Sequence, residues 1–334
     1  MNPTYHYLIQ SNVPRPVSYY ESNFGPLSTK LRLSGYPHTA LEKIITLLWQ
    51  KAQQKDTPVE IIHNCLDNSI EGLILPEYSA GVFGFDVCDQ EERNVLADIG
   101  CGETERYLEH TEAARKTLLK ARLLHDEQEA VYSRHMDFGA ANRLAEETIR
   151  TLLEGKSQDQ PGREIHRFFG AATVSGNLSY IPELTQDISR RYFIKGRPGT
   201  GKSTFLKKVA AAAKQRGFCV EVYHCSLDPH SLDMVVVRDL NFCIFDSTPP
   251  HEYFPVRPGD EIIDVYAACV TPGTDEAYEE ELNKLQAGYK CLVAEAVVSL
   301  QEAKKALNSF DELLPPIPDD VLEQTARDLL GRLF

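Results

Sequence analysis

Residues 196 to 203 read Gly-Arg-Pro-Gly-Thr-Gly-Lys-Ser, a full match to G-x-x-x-x-G-K-[ST]. No other stretch constrains the fold as strongly. The motif works only where a strand delivers the chain to a glycine-rich turn and a helix begins at the lysine. Both flanks agree. Residues 192–195 form an apolar run suited to a buried strand, and residues 204–216 read as an Ala- and Lys-rich helix, with Gly217 as its left-handed stop. Average residue frequencies give such a match by accident in about one chain in a hundred of this length.

The residue types follow from the chemistry of polyphosphate, which is densely negative and is best met by backbone N–H groups and a helix N-terminus. Gly196, Gly199 and Gly201 let the backbone approach, and Arg197, Pro198 and Thr200 complete the loop. Lys202 is expected to reach the β- and γ-phosphates, Ser203 to ligate Mg²⁺, and Thr204 to add a contact further back. The metal also needs a carboxylate at the end of an apolar strand. Asp246, directly after Phe242, Cys243, Ile244 and Phe245, fits that role, against the plain reading of a turn-initiating Asp. Asp228, just past the strand expected at 220–223, is a candidate substrate-orienting or general-base carboxylate, although Asp-Pro is also a common turn. His251 and Glu252 are candidates for positioning a water or a substrate hydroxyl. His224, at a strand end, reads more simply as a structural hydrogen-bonding residue.

The chain also repeats itself. Overlaying Gly35 on Gly196 without gaps aligns residues 35–77 with 196–238 and gives ten identities in 43 positions, where composition alone gives about three. "VEIIHNCLD" then falls on "VEVYHCSLD", and "FGFD", ending at Asp86, lies one residue out of register with "CIFD", ending at Asp246. In this alignment GYPHTALEK occupies the loop position but puts His38, Ala40, Leu41 and Glu42 where Gly199, Gly201, Lys202 and Ser203 stand. A loop with an apolar side chain in place of its cation and a carboxylate in place of its metal-binding hydroxyl is not expected to hold a triphosphate.

The expected fold class is therefore α/β: two three-layer αβα domains related by duplication, with additional helices after each sheet. The first spans residues 1–157 and is degenerate; the second spans 158–334 and carries the intact loop. The polar stretch EGKSQDQPGR, residues 154–163, is the expected linker. Helices are expected over 103–132, with Leu108, Leu118, Leu119, Leu123 and Leu124 on the apolar face, over 277–307, with Val293, Val297, Leu300 and Leu307, and at the C-terminal end, with Leu322, Leu329, Leu330 and Leu333. Two copies of one fold also raise the expectation of a cation lent by the first to the second, with Arg32 as the candidate.

The motifs "IKGRPGTGKSTFLKK", "VEVYHCSLDPHSLD" and "FDSTPPHEYFPVRPGDEIID", together with the repeat, resemble a bacterial family of tandem P-loop ATPases over nearly the whole chain. The resemblance implies a P-loop NTPase fold and nucleotide binding, with Gly196 to Thr204, Asp228, Asp246, His251, Arg257 and Asp260 at matching positions. Members often carry a working loop in both halves, and this chain departs from that pattern in its first.

A net charge of −14 argues against binding nucleic-acid backbones, and no apolar run of membrane-spanning length is present. The first residues lack a secretory pattern, so a cytoplasmic protein is expected, with its eight cysteines, free of any C-x-x-C pair, reduced and mostly buried. N-K-x-D is absent, which makes ATP rather than GTP the expected nucleotide, with Mg²⁺. The leading expectation is Mg²⁺-dependent ATP hydrolysis. The alternatives are a small-molecule or nucleotide kinase with Asp228 as base, and a nucleotide-sensing regulator with little turnover.

Overall fold

The computed structural model describes residues 3–11, 13, 16–84 and 102–334. In chain order, the strands of its two large sheets are β1 (Thr4–His6), β2 (Thr29–Arg32), β3 (Glu60–His63), β4 (Ile70–Leu75), β5 (Ala80–Phe83), β6 (Arg163–Phe168), β7 (Arg190–Lys195), β8 (Cys219–His224), β9 (Leu232–Val237), β10 (Phe242–Asp246) and β11 (Asp260–Asp264). The principal helices are α1 (His38–Gln54), α2 (Gly102–Ser133), α3 (Phe138–Leu153), α4 (Lys202–Gln215), α5 (Glu279–Leu313) and α6 (Asp319–Leu333). The fold is mixed α/β. Two compact units divide it, one of Met1–Thr117, Phe168–Leu184 and Ala294–Phe334, the other of Leu118–Arg167 and Thr185–Val293.

In the first unit the sheet order is β1-β3-β4-β5-β2. The outer pairs β1/β3 and β5/β2 are parallel, while β3/β4 and β4/β5 are antiparallel. Helix α1 buries Ala40, Leu41, Ile44, Ile45, Leu48 and Ala52, a helical repeat that forms one apolar stripe. Leu322, Ala326, Leu329 and Leu333 of α6 join the same core, with Leu330 packed at its edge. Each fully buried leucine of this kind contributes about 1.5–3 kcal/mol, enough to hold the C-terminal helix on the unit.

The second unit has the order β6-β8-β9-β10-β7-β11. Here β8/β9 and β9/β10 are antiparallel, whereas β7 runs parallel to both β10 and β11. Phe205, Leu206, Val209, Ala210 and Ala213 of α4 and Leu152 and Leu153 of α3 pack with alternate strand residues Tyr192, Ile194, Val220, Val222, Val235 and Ile244. The residues between them, such as Phe193, Tyr223 and Phe245, are buried as well. Burial of both faces explains why these strands read as continuous apolar runs.

Leaving β11 aside, the five strands of each sheet follow one order, and the likeness extends to irregular details. Strand pairing shifts register between Ile62 and His63 in one unit and between Tyr223 and His224 in the other. His63 Nδ1 bonds the carbonyl of Asn68 at 2.8 Å, and His224 Nδ1 that of Pro229 at 2.6 Å. Left-handed Ser79 (φ 48°) and Asn241 (φ 51°) close matching turns before β5 and β10.

Several expectations need correction. The stretch 154–163 lies inside the second unit, as the loop between α3 and β6, tied by Gln158 N–H to the Arg216 carbonyl. Leu119 and Leu123 are exposed, because helix α2 is charged over most of its surface; Leu118 alone of that trio is buried. The helix expected over 277–307 starts at Glu279 and continues to Leu313. Asp86, Cys88 and Cys101 lie outside the described residues. Arg32 pairs with Phe83 as Phe193 pairs with Phe245, so Gly84 rather than Asp86 takes the register position of Asp246. The described cysteines form no disulfide with one another; Cys65, Cys243 and Cys269 are buried, Cys219 and Cys225 half-buried, and Cys291 exposed.

Candidate functional site

Strand β7 ends at Lys195, the chain turns through Gly196–Gly201, and α4 begins at Lys202. Gly199 (φ 77°) and Gly201 (φ 80°) adopt left-handed backbone that other residues enter only at a cost. At Gly199 there is also no space, since a Cβ would meet the carbonyl oxygen of Glu129 at 2.3 Å. Thr200 is fully buried and braces the turn: its hydroxyl donates to the Arg197 carbonyl at 2.8 Å and accepts from Arg197 N–H at 3.2 Å. Arg197 is anchored outward, with Nη2 2.9 Å from Asp275 Oδ2. Pro198 is half-buried, while Thr204 is exposed on the first turn of α4.

The lysine and the carboxylate meet. Lys202 Nζ donates to the Arg197 carbonyl at 2.7 Å and lies 3.4 Å from Asp246 Oδ2, and only 8% of Lys202 is exposed. Asp246 reaches this point because β10 is the parallel neighbour of β7, pairing Ile194 with Asp246. Its Oδ1 accepts from Thr248 at 2.6 Å. Ser203 Oγ accepts from Leu232 N–H at 2.9 Å, which fixes the hydroxyl between α4 and β9.

The other sequence candidates are distributed unevenly. His251 lies within the field of Asp246, but burial outweighs that pull and keeps the imidazole neutral below its usual range. Its backbone N–H donates to the Thr248 carbonyl at 2.9 Å. Glu252 is exposed and held by Lys195 at 3.2 Å. Asp228 pairs with Arg122 at 3.0 Å; against the burial that would raise it, the guanidinium holds its carboxyl below the ordinary range. His224 is committed at both nitrogens, to the Pro229 carbonyl and to His166 Nδ1 at 2.9 Å. Arg257 and Asp260 build structure: Asp260 binds Arg191 at 2.6 Å, and Arg257 caps the carbonyls of Thr185, Gln186 and Ile188. Arg32 is exposed on β2 of the first unit.

Two contributions escaped the sequence reading. Asp233 on β9 is half-buried in the field of Asp246 and Asp228, and desolvation followed by the Asp246 charge drives its carboxyl well above the ordinary range. The Asp in "SLDMVVV" breaks an otherwise apolar strand, and that was the available signal. The second is helix α2. Arg122, Asp126, Glu129 and Ser133 recur at helical spacing along it: Arg122 meets Asp228, the Glu129 backbone abuts Gly199, and Ser133 Oγ donates to the Gly199 carbonyl at 3.2 Å. Glu129 and His125 both feel the Lys202 charge, and burial raises the Glu129 carboxyl while lowering the His125 imidazole. His125, Asp126 and Glu129 have their ligand atoms within 4.8 Å of one another. The sequence showed a charged helix here without showing what it covers.

Three comparisons were made, with protein-family models, with curated proteins and with solved structures, and none gives a match to this chain. No helix among the described residues is long and apolar enough to cross a membrane.

Proposed function

We propose that the second unit binds ATP with Mg²⁺ at Gly196–Thr204 and hydrolyses it, and that the two units are copies of one P-loop NTPase fold of which the first no longer binds nucleotide. One observation carries the reading. A glycine loop in left-handed backbone ends at a helix whose first residue, Lys202, faces Asp246 at the end of the adjacent parallel strand.

In this reading the loop N–H groups and the α4 N-terminus receive the phosphates, and Lys202 exchanges the Arg197 carbonyl for a phosphate oxygen. The hard-oxygen set of Ser203 and Asp246, with Asp233 behind it, fits Mg²⁺; so much negative charge in one place that Asp233 resists ionisation is a site a divalent cation relieves. Bound there, the metal would neutralise charge developing between the β- and γ-phosphates. Glu129, against the loop and raised in pKa, is the carboxylate suited to orient the attacking water. Asp228, tied to Arg122, is a poor proton acceptor, which weighs against the kinase alternative.

The test is Mg²⁺-ATP calorimetry with parallel phosphate release on the wild type and Lys202→Ala. Binding and turnover in the wild type alone support hydrolysis. Binding without turnover moves the reading to a nucleotide-responsive regulator, and no binding by either protein removes it.

A further inference from the structure

The first unit has a cavity of about 80 Å³ at its own loop-to-helix junction. Leu41, in the wall, is aligned with Lys202, and Gly84, packed against Leu41, takes the register position of Asp246. A helix on each unit extends the parallel. Lys304 and Asp311 stand seven residues apart on α5, as Arg122 and Glu129 do on α2. Lys304 binds Asp67 where Arg122 binds the aligned Asp228, and Asp311 meets the N-terminus of α1 where Glu129 abuts the loop before α4. Leu307 then corresponds to His125, which feels the charges of Lys202 and Asp246. A lysine, a carboxylate and an imidazole of the second unit are thus represented here by two leucines and a glycine.

We propose that this cavity takes a neutral aliphatic group of about four carbons, whether or not the second unit holds nucleotide. Carbon dominates the lining: Leu41 and Tyr36 pack with the core of α1 and the sheet, and Leu66, Tyr107, Leu307 and Phe310 with a second apolar cluster. The polar groups of the wall are engaged with the chain. Both oxygens of Asp311 are filled, by His38 N–H at 3.1 Å and by Thr39 N–H at 2.9 Å. His38 Nε2 is held by Asp67 at 2.9 Å and Ser69 at 3.2 Å. Asn64 donates to Glu71 at 2.7 Å, and its Oδ1 accepts from Leu66 N–H at 2.8 Å. A charged ligand would give up its hydration here and meet partners that are already bonded, whereas an apolar one gains by leaving water. The volume is about half that of an apolar cavity of about 150 Å³ that admits benzene, which sets the size of the group.

The experiment follows the leucine-methyl NMR spectrum of the full chain in buffer equilibrated with rising pressures of isobutane. Isobutylammonium chloride and sodium isobutyrate, at constant ionic strength, serve as charged probes of similar shape. Saturable shifts of the Leu41 and Leu307 methyls with isobutane, and binding at least tenfold weaker for either ion, are the expected result. Leu314→Trp, which fills the cavity from its wall, should abolish the shifts, and Lys202→Ala should leave them unchanged. Absence of saturable shifts with isobutane, equal binding of either ion, or shifts that survive in folded Leu314→Trp would each overturn the proposal. The comparison of three probes on the wild type decides the matter even if a variant fails to fold.

Discussion

The carboxylate of Asp311 caps Thr39, accepting its backbone N–H at 2.9 Å and its hydroxyl at 3.0 Å through the same oxygen. The residue before α1 is Pro37, which has no side-chain oxygen to offer, so a carboxylate distant in sequence does what a helix-capping Ser or Asp would do locally. Asp311→Ala should lower stability by about 1 kcal/mol, seen as a shifted urea midpoint with unchanged m-value. Asp311→Asn, which retains an oxygen acceptor, should recover part of that loss; identical losses in both variants would show that the contact is not a cap.

Gly199 has a different kind of constraint. Alanine there must adopt φ near 77° and push the Glu129 backbone away. Conformation alone costs about 1–2 kcal/mol, and the displaced segment of α2 adds to it. Gly199→Ala should destabilise the second unit and weaken Mg²⁺-ATP binding at least tenfold, while Gly35→Ala, with open space around its Cβ, should pay only the conformational part. Hydrogen exchange at Ser133 and the α4 N-terminus would register the difference.

Acid sensitivity should centre on His224. The carbonyl of Pro229 can only accept, so Nδ1 carries the ring proton and Nε2 accepts from His166. Burial holds this imidazole at about 4, helped by the positive charge of nearby Lys207. In the unfolded chain it takes its proton near 6.5. The unfolded state therefore binds more protons between those values, and the stabilisation present above pH 6.5 is lost as pH falls toward 4. Denaturant titrations at pH 7, 5.5 and 4.5 should fall less steeply for His224→Gln than for the wild type; parallel slopes would refute the assignment.

Glu221 anchors a buried polar network: Tyr223 donates to it at 2.7 Å, Arg238 at 2.5 Å, and Arg167, 4% exposed, lies 3.8 Å away. Glu221→Ala removes the buried carboxylate that Tyr223, Arg238 and Arg167 share and should cost about 3–5 kcal/mol. Glu221→Gln should cost less, because two acceptor contacts persist in weakened form. Thermal melts of both variants provide the comparison.

The strand–loop–helix at 190–215 was legible because glycine positions, apolar run and helix stop all report local backbone physics. The strand at 242–246 and its terminal Asp were legible for the same reason. What α2 does was not. Arg122, Glu129 and Ser133 look like any solvated helix face until the tertiary fold sets Gly199 against them, and nothing in their spacing distinguishes a lid from a surface. Asp311 was hidden more deeply, since its partner lies more than 270 residues away in the chain. The match of FGFD with CIFD misled because one additional residue between β8 and β9 slides every later residue by one, and strand pairing sets Gly84 at the position of Asp246.

Gly84 has a last consequence. A Cβ on it would strike Leu41 Cδ2 at 2.2 Å, so a large apolar side chain and a missing one interlock where the other unit sets Lys202 against Asp246. Neither half of that exchange can be undone alone. Lysine at 41 would bring an ammonium to a position with no facing carboxylate at 84, and aspartate at 84 would drive a charge into a leucine. A change from this pair to a lysine facing a carboxylate therefore runs through an intermediate worse than either end, and Leu41 and Gly84 hold each other in place by steric reciprocity.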